Sequence, residues 1–248
     1  MTWTYTLISV AIVSLLSFAG VITLAIKKSY LKKILLILVA FSTGALLGDA
    51  FLHLLPEASD GTGGLSLLST AMIFAGILLF FILEKFLRWR HCHDIDCQKH
   101  PKHLGTMNLV GDGVHNFIDG ILIGASYLVS IPLGIATTIA VAAHEIPQEL
   151  GDFGVLLHSG FKIKQAVWYN FLSACFAILG AIGALWLSAF SDSLIGPLIP
   201  LTAGGFIYIA LSGLVPELHK EENLWTSLVQ LIAILSGIAL MYLLLQLG

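Results

Sequence analysis

The chain alternates long apolar runs with short polar stretches. Eight runs can be marked, at about 5–26, 34–55, 65–87, 107–129, 131–157, 165–190, 195–217 and 224–247. Each is near the ~20 residues an α-helix needs to cross the hydrocarbon core of a bilayer. A closed barrel is the other way to span a membrane. Its strands alternate in polarity over about ten residues, and these unbroken runs do not. The pattern predicts an all-α membrane protein, a bundle of eight transmembrane helices. The runs fill most of the sequence, so residues 1–248 are expected to form a single transmembrane domain.

Composition agrees with that class. The chain is 57% hydrophobic and 11% charged, with a mean hydropathy of +0.93, whereas soluble domains carry about 25% charged residues. Lys27 and Lys28 follow the first run instead of preceding it, so it is expected to be a retained span and not a cleavable signal. The 12 Lys and Arg residues fall between runs one and two, three and four, five and six, and seven and eight. An eight-span arrangement puts them all on one side, and the positive-inside rule makes that side cytoplasmic, with both termini extracytoplasmic. The net charge of −3 says nothing about nucleic acid in this setting, and no nucleic-acid partner is expected. The plasma membrane, in a bacterium the inner membrane, is the expected location.

Polar groups inside the runs carry the chemistry. The fifth run holds His144-Glu145-Ile146-Pro147-Gln148-Glu149-Leu150-Gly151-Asp152. Charged groups at mid-bilayer cost roughly 2.5–3.5 kcal/mol each on insertion scales, so these must face the protein interior. His144 and Gln148 form one i, i+4 row, and Glu145, Glu149 and Asp152 the adjacent one. In the fourth run Asp112, His115, Asn116 and Asp119 are spaced by three and four and make one stripe. A short link, Ser130 to Pro132, makes runs four and five an antiparallel hairpin whose stripes can face each other. Burying their five carboxylates alone would cost on the order of 12–18 kcal/mol, more than the stability of a typical domain. A divalent cation can neutralise such a cluster, and carboxylates with helix-spaced His on facing helices build metal sites. Pro147 also leaves the Ala143 carbonyl without its usual donor.

The second run carries Asp49 and His53 at i, i+4, a polar step on a pathway. Glu84-Lys85, at the end of the third run, reads as an interfacial anchor, and the first run, without acid, base or His, as a lipid-facing scaffold helix. A loop at about 89–105 holds four His, two Cys and two Asp, a composition suited to collecting metal. Asn170, in the sixth run, is placed to extend the central site or to make a helix contact. Gly44 lies twelve residues before Pro56-Glu57, and Gly204 twelve before Pro216-Glu217. The two copies would run in opposite directions, which suggests an inverted repeat of three, two and three helices.

The pair His115-Asn116-Phe117-Ile118-Asp119-Gly120 and His144 to Asp152 closely resembles the signature of the ZIP (Zrt/Irt-like) family of divalent metal transporters, in its branch with a His-Glu-x-Pro-His-Glu-x-Gly-Asp motif. The stretches Gly48 to Glu57 and Tyr208 to Glu217 look like the same family's second and seventh helices. The resemblance implies an eight-helix bundle with a two-metal centre between helices four and five, moving zinc, iron, manganese or cadmium toward the cytoplasm. Carried over by position, His115, Asp119 and His144 would hold the first metal. Asn116 and Glu145 would lean to the second, with Gln148 bridging, Glu149 beside it and Asn170 an outer ligand. Asp49, His53, Asp112 and Asp152 would line the pathway. The chain departs from that branch at Gln148, where it has His; a neutral carboxamide is a poorer ligand and a poor bridge between cations.

The expected function is thus an uptake carrier for a divalent transition metal, Zn2+ foremost, with Fe2+, Mn2+ or Cd2+ as alternatives. Nitrogen and oxygen donors without thiolate suit those ions and disfavour Cu(I). Ligand imidazoles must be unprotonated, so binding should weaken as the pH falls through about 6. The expected partners are the metal ion and the lipid bilayer, with a homodimer left open. No enzymatic activity is expected. An intramembrane zinc metallohydrolase is the rival, because His144-Glu145-x-x-Gln148 approaches H-E-x-x-H, but the second His is missing. A passive metal channel differs from a carrier only in kinetics.

Overall fold

The computed structural model describes residues 1–24, 28–59, 64–89, 101–188, 196–220 and 223–247. Among these residues the regular structure is all helical, with no strand. The helices form eight rods that follow the eight apolar runs. The first is α1 (Thr2–Leu15), which tightens into a 3-10 stretch at Leu16–Leu24. The second is α2 (Lys28–Asp49), a π-helical turn at Ala50–Leu54, then α3 (Leu55–Ala58). The third, fourth and fifth are α4 (Leu67–Trp89), α5 (Pro101–Val129) and α6 (Ile131–His158). The sixth breaks into α7 (Ile163–Ala174) and α8 (Phe176–Ser188). The seventh is α9 (Leu198–Tyr208), a second π turn at Ile209–Leu214, then α10 (Val215–Leu218), and the eighth is α11 (Leu224–Leu247). Most of the His- and Cys-rich loop expected at about 89–105 lies outside the described residues; Pro101 already begins α5.

Six rods are long and apolar enough to cross a membrane. The other two, α5 and α6, have 29 and 28 residues, about 42 Å each at 1.5 Å per residue. Their length is ample, and their polar stripes are what lower their apolarity. The short link between them behaves as a helix start should: Ser130 is extended, and its hydroxyl accepts a hydrogen bond from the Leu133 N–H at 3.2 Å.

Three helix pairs are held by backbone-to-backbone approach at glycine. A Cβ on Gly44 of α2 would lie 2.0 Å from the Ile234 carbonyl oxygen of α11, and one on Gly237 2.3 Å from that of Phe41. Gly76 and Gly204 make the same reciprocal approach between α4 and α9, and Gly120 and Gly180 between α5 and α8. Within a bilayer, small residues supply the association that the hydrophobic effect cannot, because lipid tails are as apolar as the side chains.

The first rod turns Ile8, Ile12, Leu15 and Phe18 outward, as a lipid-facing scaffold would, and packs its other face. Thr6, Ser9, Val10, Val13 and Ser14 are buried, and the rod packs on α5, α6, α7 and α8. Its small hydroxyl residues make that possible. The Ser9 and Tyr127 hydroxyls are hydrogen-bonded at 2.8 Å, and Ser14 donates to the Ala174 carbonyl at 2.9 Å, at the break between α7 and α8.

Both π turns run into a proline, Pro56 and Pro216. Proline has no N–H to give and crowds the carbonyl four residues back; a π turn widens the helix at that point. Pro147 is handled differently. The α6 helix continues through it, and the Ser42 hydroxyl of α2 donates to the released Ala143 carbonyl at 2.5 Å.

Candidate functional site

The site is built where α5 and α6 face each other, with α7 closing one side. Residues 112, 115, 116 and 119 share one face of α5, and residues 144, 145, 148 and 149 share one face of α6. The antiparallel hairpin brings the two faces together at mid-helix.

His115, Asp119, His144 and Glu145 converge, each offering one donor atom within 4.8 Å of the others. His144 Nε2 lies 3.0 Å from Asp119 Oδ2, 3.3 Å from His115 Nε2 and 3.8 Å from Glu145 Oε1. His115 Nε2 lies 3.5 Å from Glu145 Oε1 and 3.7 Å from Asp119 Oδ2. The Nδ1 of His144 faces the Ala140 carbonyl at 3.2 Å, a contact that orients the ring and turns Nε2 into the cluster. Asp119, His144 and Glu145 are at most 1% exposed. All four carboxylate oxygens of Asp119 and Glu145 are buried without an aligned hydrogen-bond donor. Buried polar groups are almost always satisfied, and these four oxygens are placed where a cationic ligand could satisfy them. Phe80 meets the His115 ring edge-on at a centroid separation of 5.8 Å, and Phe206 stands 6.2 Å from His144, giving the cluster an apolar wall.

A second group lies one turn away. Asp112, Glu145 and Glu149 bring oxygens within 4.8 Å of one another. Here carboxamides and a hydroxyl supply donors. Asp112 accepts from Asn116 at 3.0 Å, Gln148 at 3.3 Å and Ser173 at 2.5 Å. Glu149 accepts from Asn170, and Asp152 accepts from Asn108 at 3.0 Å. Besides the two Glu145 oxygens, Glu149 Oε1, Asn116 Oδ1 and Asn170 Oδ1 are buried acceptors that stay open here. Gln148 turns its amide to Asp112, and Asn170, of α7, turns its amide to Glu149.

Asp49 and His53 sit apart from both groups, at the π turn of the second rod. Asp49 is fully buried, with Oδ1 3.2 Å from His53 Nδ1, and its Oδ2 accepts from Thr137 of α6 at 3.1 Å. Thr137 precedes His144 by seven residues, about 10 Å along the helix. The pair therefore lies on the Ser130 side of the cluster.

On the opposite side a cavity of about 310 Å³ opens from the cluster. Glu84, Asp112, His115, Gln148, Asp152 and Tyr208 line it. Glu84, expected as an interfacial anchor, also has partners within the bundle: the Tyr208 hydroxyl donates to its Oε2 at 2.6 Å, and the Ser212 hydroxyl lies 3.4 Å from the same oxygen. Its partners come from the seventh rod, and no local spacing in the third run could announce them. The one available signal was an acid still inside an apolar run.

A family model described as ZIP Zinc transporter matches residues 1–103 and 90–245. The chain is 38% identical over 219 residues to the Zinc transporter ZIP13 of Pongo abelii, covering 83% of this chain and 65% of that protein. It is 34% identical over 272 residues to a Zinc transporter ZIP13 homolog of Drosophila melanogaster, covering 84% and 77%. To the Metal cation symporter ZIP14 of Xenopus tropicalis it is 33% identical over 323 residues, covering 98% and 69%. The chain thus spans about two thirds of the length of the first of these relatives.

Proposed function

This chain belongs to the ZIP family of zinc transporters, and from that premise we propose that it carries a divalent transition-metal cation, zinc foremost, across a membrane into the cytoplasm. The observation that carries the reading is the buried cluster of His115, Asp119, His144 and Glu145, two imidazoles and two carboxylates whose donor atoms lie within 4.8 Å of one another. Two imidazoles and two carboxylates form the mixed nitrogen and oxygen set that suits Zn2+, Fe2+ or Mn2+. His115, Asp119, His144 and Glu145 are the proposed main ligands. Asn116, Glu149 and Asn170 offer their open oxygens beside them, and Gln148 orders Asp112 between the two groups.

In the proposed arrangement all eight rods of one domain, residues 1–248, cross the bilayer with both termini outside. The placement of the 12 basic residues supports this orientation. A three-two-three inverted repeat has further support beyond Pro56-Glu57 and Pro216-Glu217. A shift of 160 residues maps Gly44 on Gly204, the proline of one π turn on that of the other, and Ser14 on Ala174, where the first and sixth rods change helical form. The glycine-sealed pair α2 with α11 then corresponds to α9 with α4. The plasma membrane, in a bacterium the inner one, is the proposed location.

The metal would meet Asp49 and His53 first, exchange water for imidazole and carboxylate at the cluster, and leave through the cavity lined by Asp112 and Asp152. That cavity is on the basic side, so the conformation is read as open to the cytoplasm and closed outside. Zinc uptake into proteoliposomes tests the function: the wild type should transport and His144→Ala should not. Equal rates would defeat the site assignment.

A further inference from the structure

We propose that Gln148 fixes the capacity of the centre at one cation, by helping to turn the group of Asp112 and Glu149 into a hydrogen-bonded frame where a second ion would otherwise sit. The inference rests on the transport reading above and deepens it. Gln148 stands one helical turn after His144 on the same face of α6, so it lies between the two groups. Its Nε2 donates to Asp112 Oδ1 at 3.3 Å. The same oxygen accepts from Asn116 at 3.0 Å, and Asp112 Oδ2 accepts from the Ser173 hydroxyl at 2.5 Å. Glu149 Oε2 accepts from the Asn170 amide. An oxygen that accepts from N–H or O–H gives that donor a lone pair a metal would need.

The acceptors left open decide the capacity. Glu145 belongs to both groups, and its carboxylate is drawn to the cation held by His115, Asp119 and His144. The second position then keeps one carboxylate oxygen, Glu149 Oε1, and the carboxamide oxygens of Asn116 and Asn170. Zinc is bound almost always by four ligands from Cys, His, Asp or Glu, or by three and a water. One carboxylate oxygen falls short of that, and carboxamide oxygen is outside the set. These oxygens suit water instead, which brings the O–H donors they lack. Neighbouring divalent cations also repel each other, and a shared anionic ligand offsets the repulsion. Position 148, beside Asp112 and one turn from His144, is where such a ligand could be shared. It carries a neutral amide whose N–H end points at the second group. A carboxylate or an imidazole at 148 would supply the missing donor.

The test counts zinc on the purified full chain, by elemental analysis after equilibrium dialysis against zinc. It compares wild type, the double variant Asp119→Asn with His144→Ala, Gln148→His and Gln148→Glu. Zinc held elsewhere on the chain is common to all four and cancels in the differences. Wild type should hold about one zinc more than the double variant, and Gln148→His and Gln148→Glu about one more than wild type. Zinc X-ray absorption checks the count on wild type without relying on any variant. Paired zincs about 3.5–4 Å apart scatter from each other, and that signal should be present in Gln148→His and absent from wild type. A zinc–zinc signal in wild type overturns the proposal. So does a zinc content in both Gln148 variants equal to that of wild type. In either case the site assignment stands if wild type still exceeds the double variant. If wild type holds no more zinc than the double variant, that assignment falls, and the proposal with it.

Discussion

The polar centre of the bundle contains two groups that share the same helices and nearly the same burial but differ in how they are satisfied. In the group of His115, Asp119, His144 and Glu145, both carboxylates are buried and none of their oxygens has an aligned donor. In the group around Asp112, Glu149 and Asp152, each carboxylate accepts at least one hydrogen bond from an amide or a hydroxyl. Carboxamides and hydroxyls steady a carboxylate permanently. Imidazoles and carboxylates gathered at one point are also the donor set that a divalent cation draws together. The first group thus suits a cation, and the second holds its shape through its own hydrogen bonds. The proposed carrier would have use for both: a site that takes the cargo, next to a frame that survives the cargo's departure.

That contrast is open to direct attack. The largest effect should come from Asp119→Asn, which removes a buried charge with no donor. Zinc uptake should be lost, yet the metal-free protein should gain about 1–3 kcal/mol of stability, because a buried carboxylate that the two neighbouring imidazoles only partly offset becomes a neutral amide. Thermal unfolding in the presence of a chelator measures this, and a large loss of metal-free stability would break the comparison. The matched change in the other group, Asp112→Asn, should have the opposite sign. It leaves the donors of Asn116, Gln148 and Ser173 facing an amide and should cost about 1–3 kcal/mol. Uptake should fall less than in Asp119→Asn. If both variants shift stability in the same direction, the two groups are not different in kind. Ser42→Ala probes the support beneath the ligands. It strips the donor from the buried Ala143 carbonyl released by Pro147, so a loss of about 1–2 kcal/mol is expected, with zinc affinity lowered because His144 is the next residue. Thr137→Ala, which removes the donor to Asp49 far from the cluster, should have the smallest effect, about 1 kcal/mol in stability and unchanged zinc binding at equilibrium.

The eight rods were legible because a membrane helix announces itself by length and apolarity, both plain in the runs. The facing stripes were legible because the spacing of 112, 115, 116 and 119 and of 144, 145, 148 and 149 fixes a helix face, and the link at Ser130 fixes the antiparallel partner. The Ala143 carbonyl could be named as needing a donor from Pro147 alone, but Ser42 as that donor could not, since it comes from a helix 101 residues away. The π turns, the 3-10 stretch at Leu16–Leu24 and the break at Cys175 change the backbone without changing the composition, so hydropathy does not register them. The packed face of the first rod and the partners of Glu84 were not legible for a related reason. Serine and glycine read as neutral in a run yet set how closely helices approach, and the hydroxyls that hold Glu84 lie on another rod.

The central claim is that the imidazole and carboxylate group binds the transported ion. Zinc X-ray absorption spectroscopy of the loaded protein, with His144→Ala beside it, tests this most directly. The account predicts nitrogen and oxygen ligation at about 2.0–2.2 Å with two imidazoles in the wild type, and the loss of one imidazole or of bound zinc in the variant. A spectrum with no imidazole ligand, or one identical in wild type and His144→Ala, would contradict it.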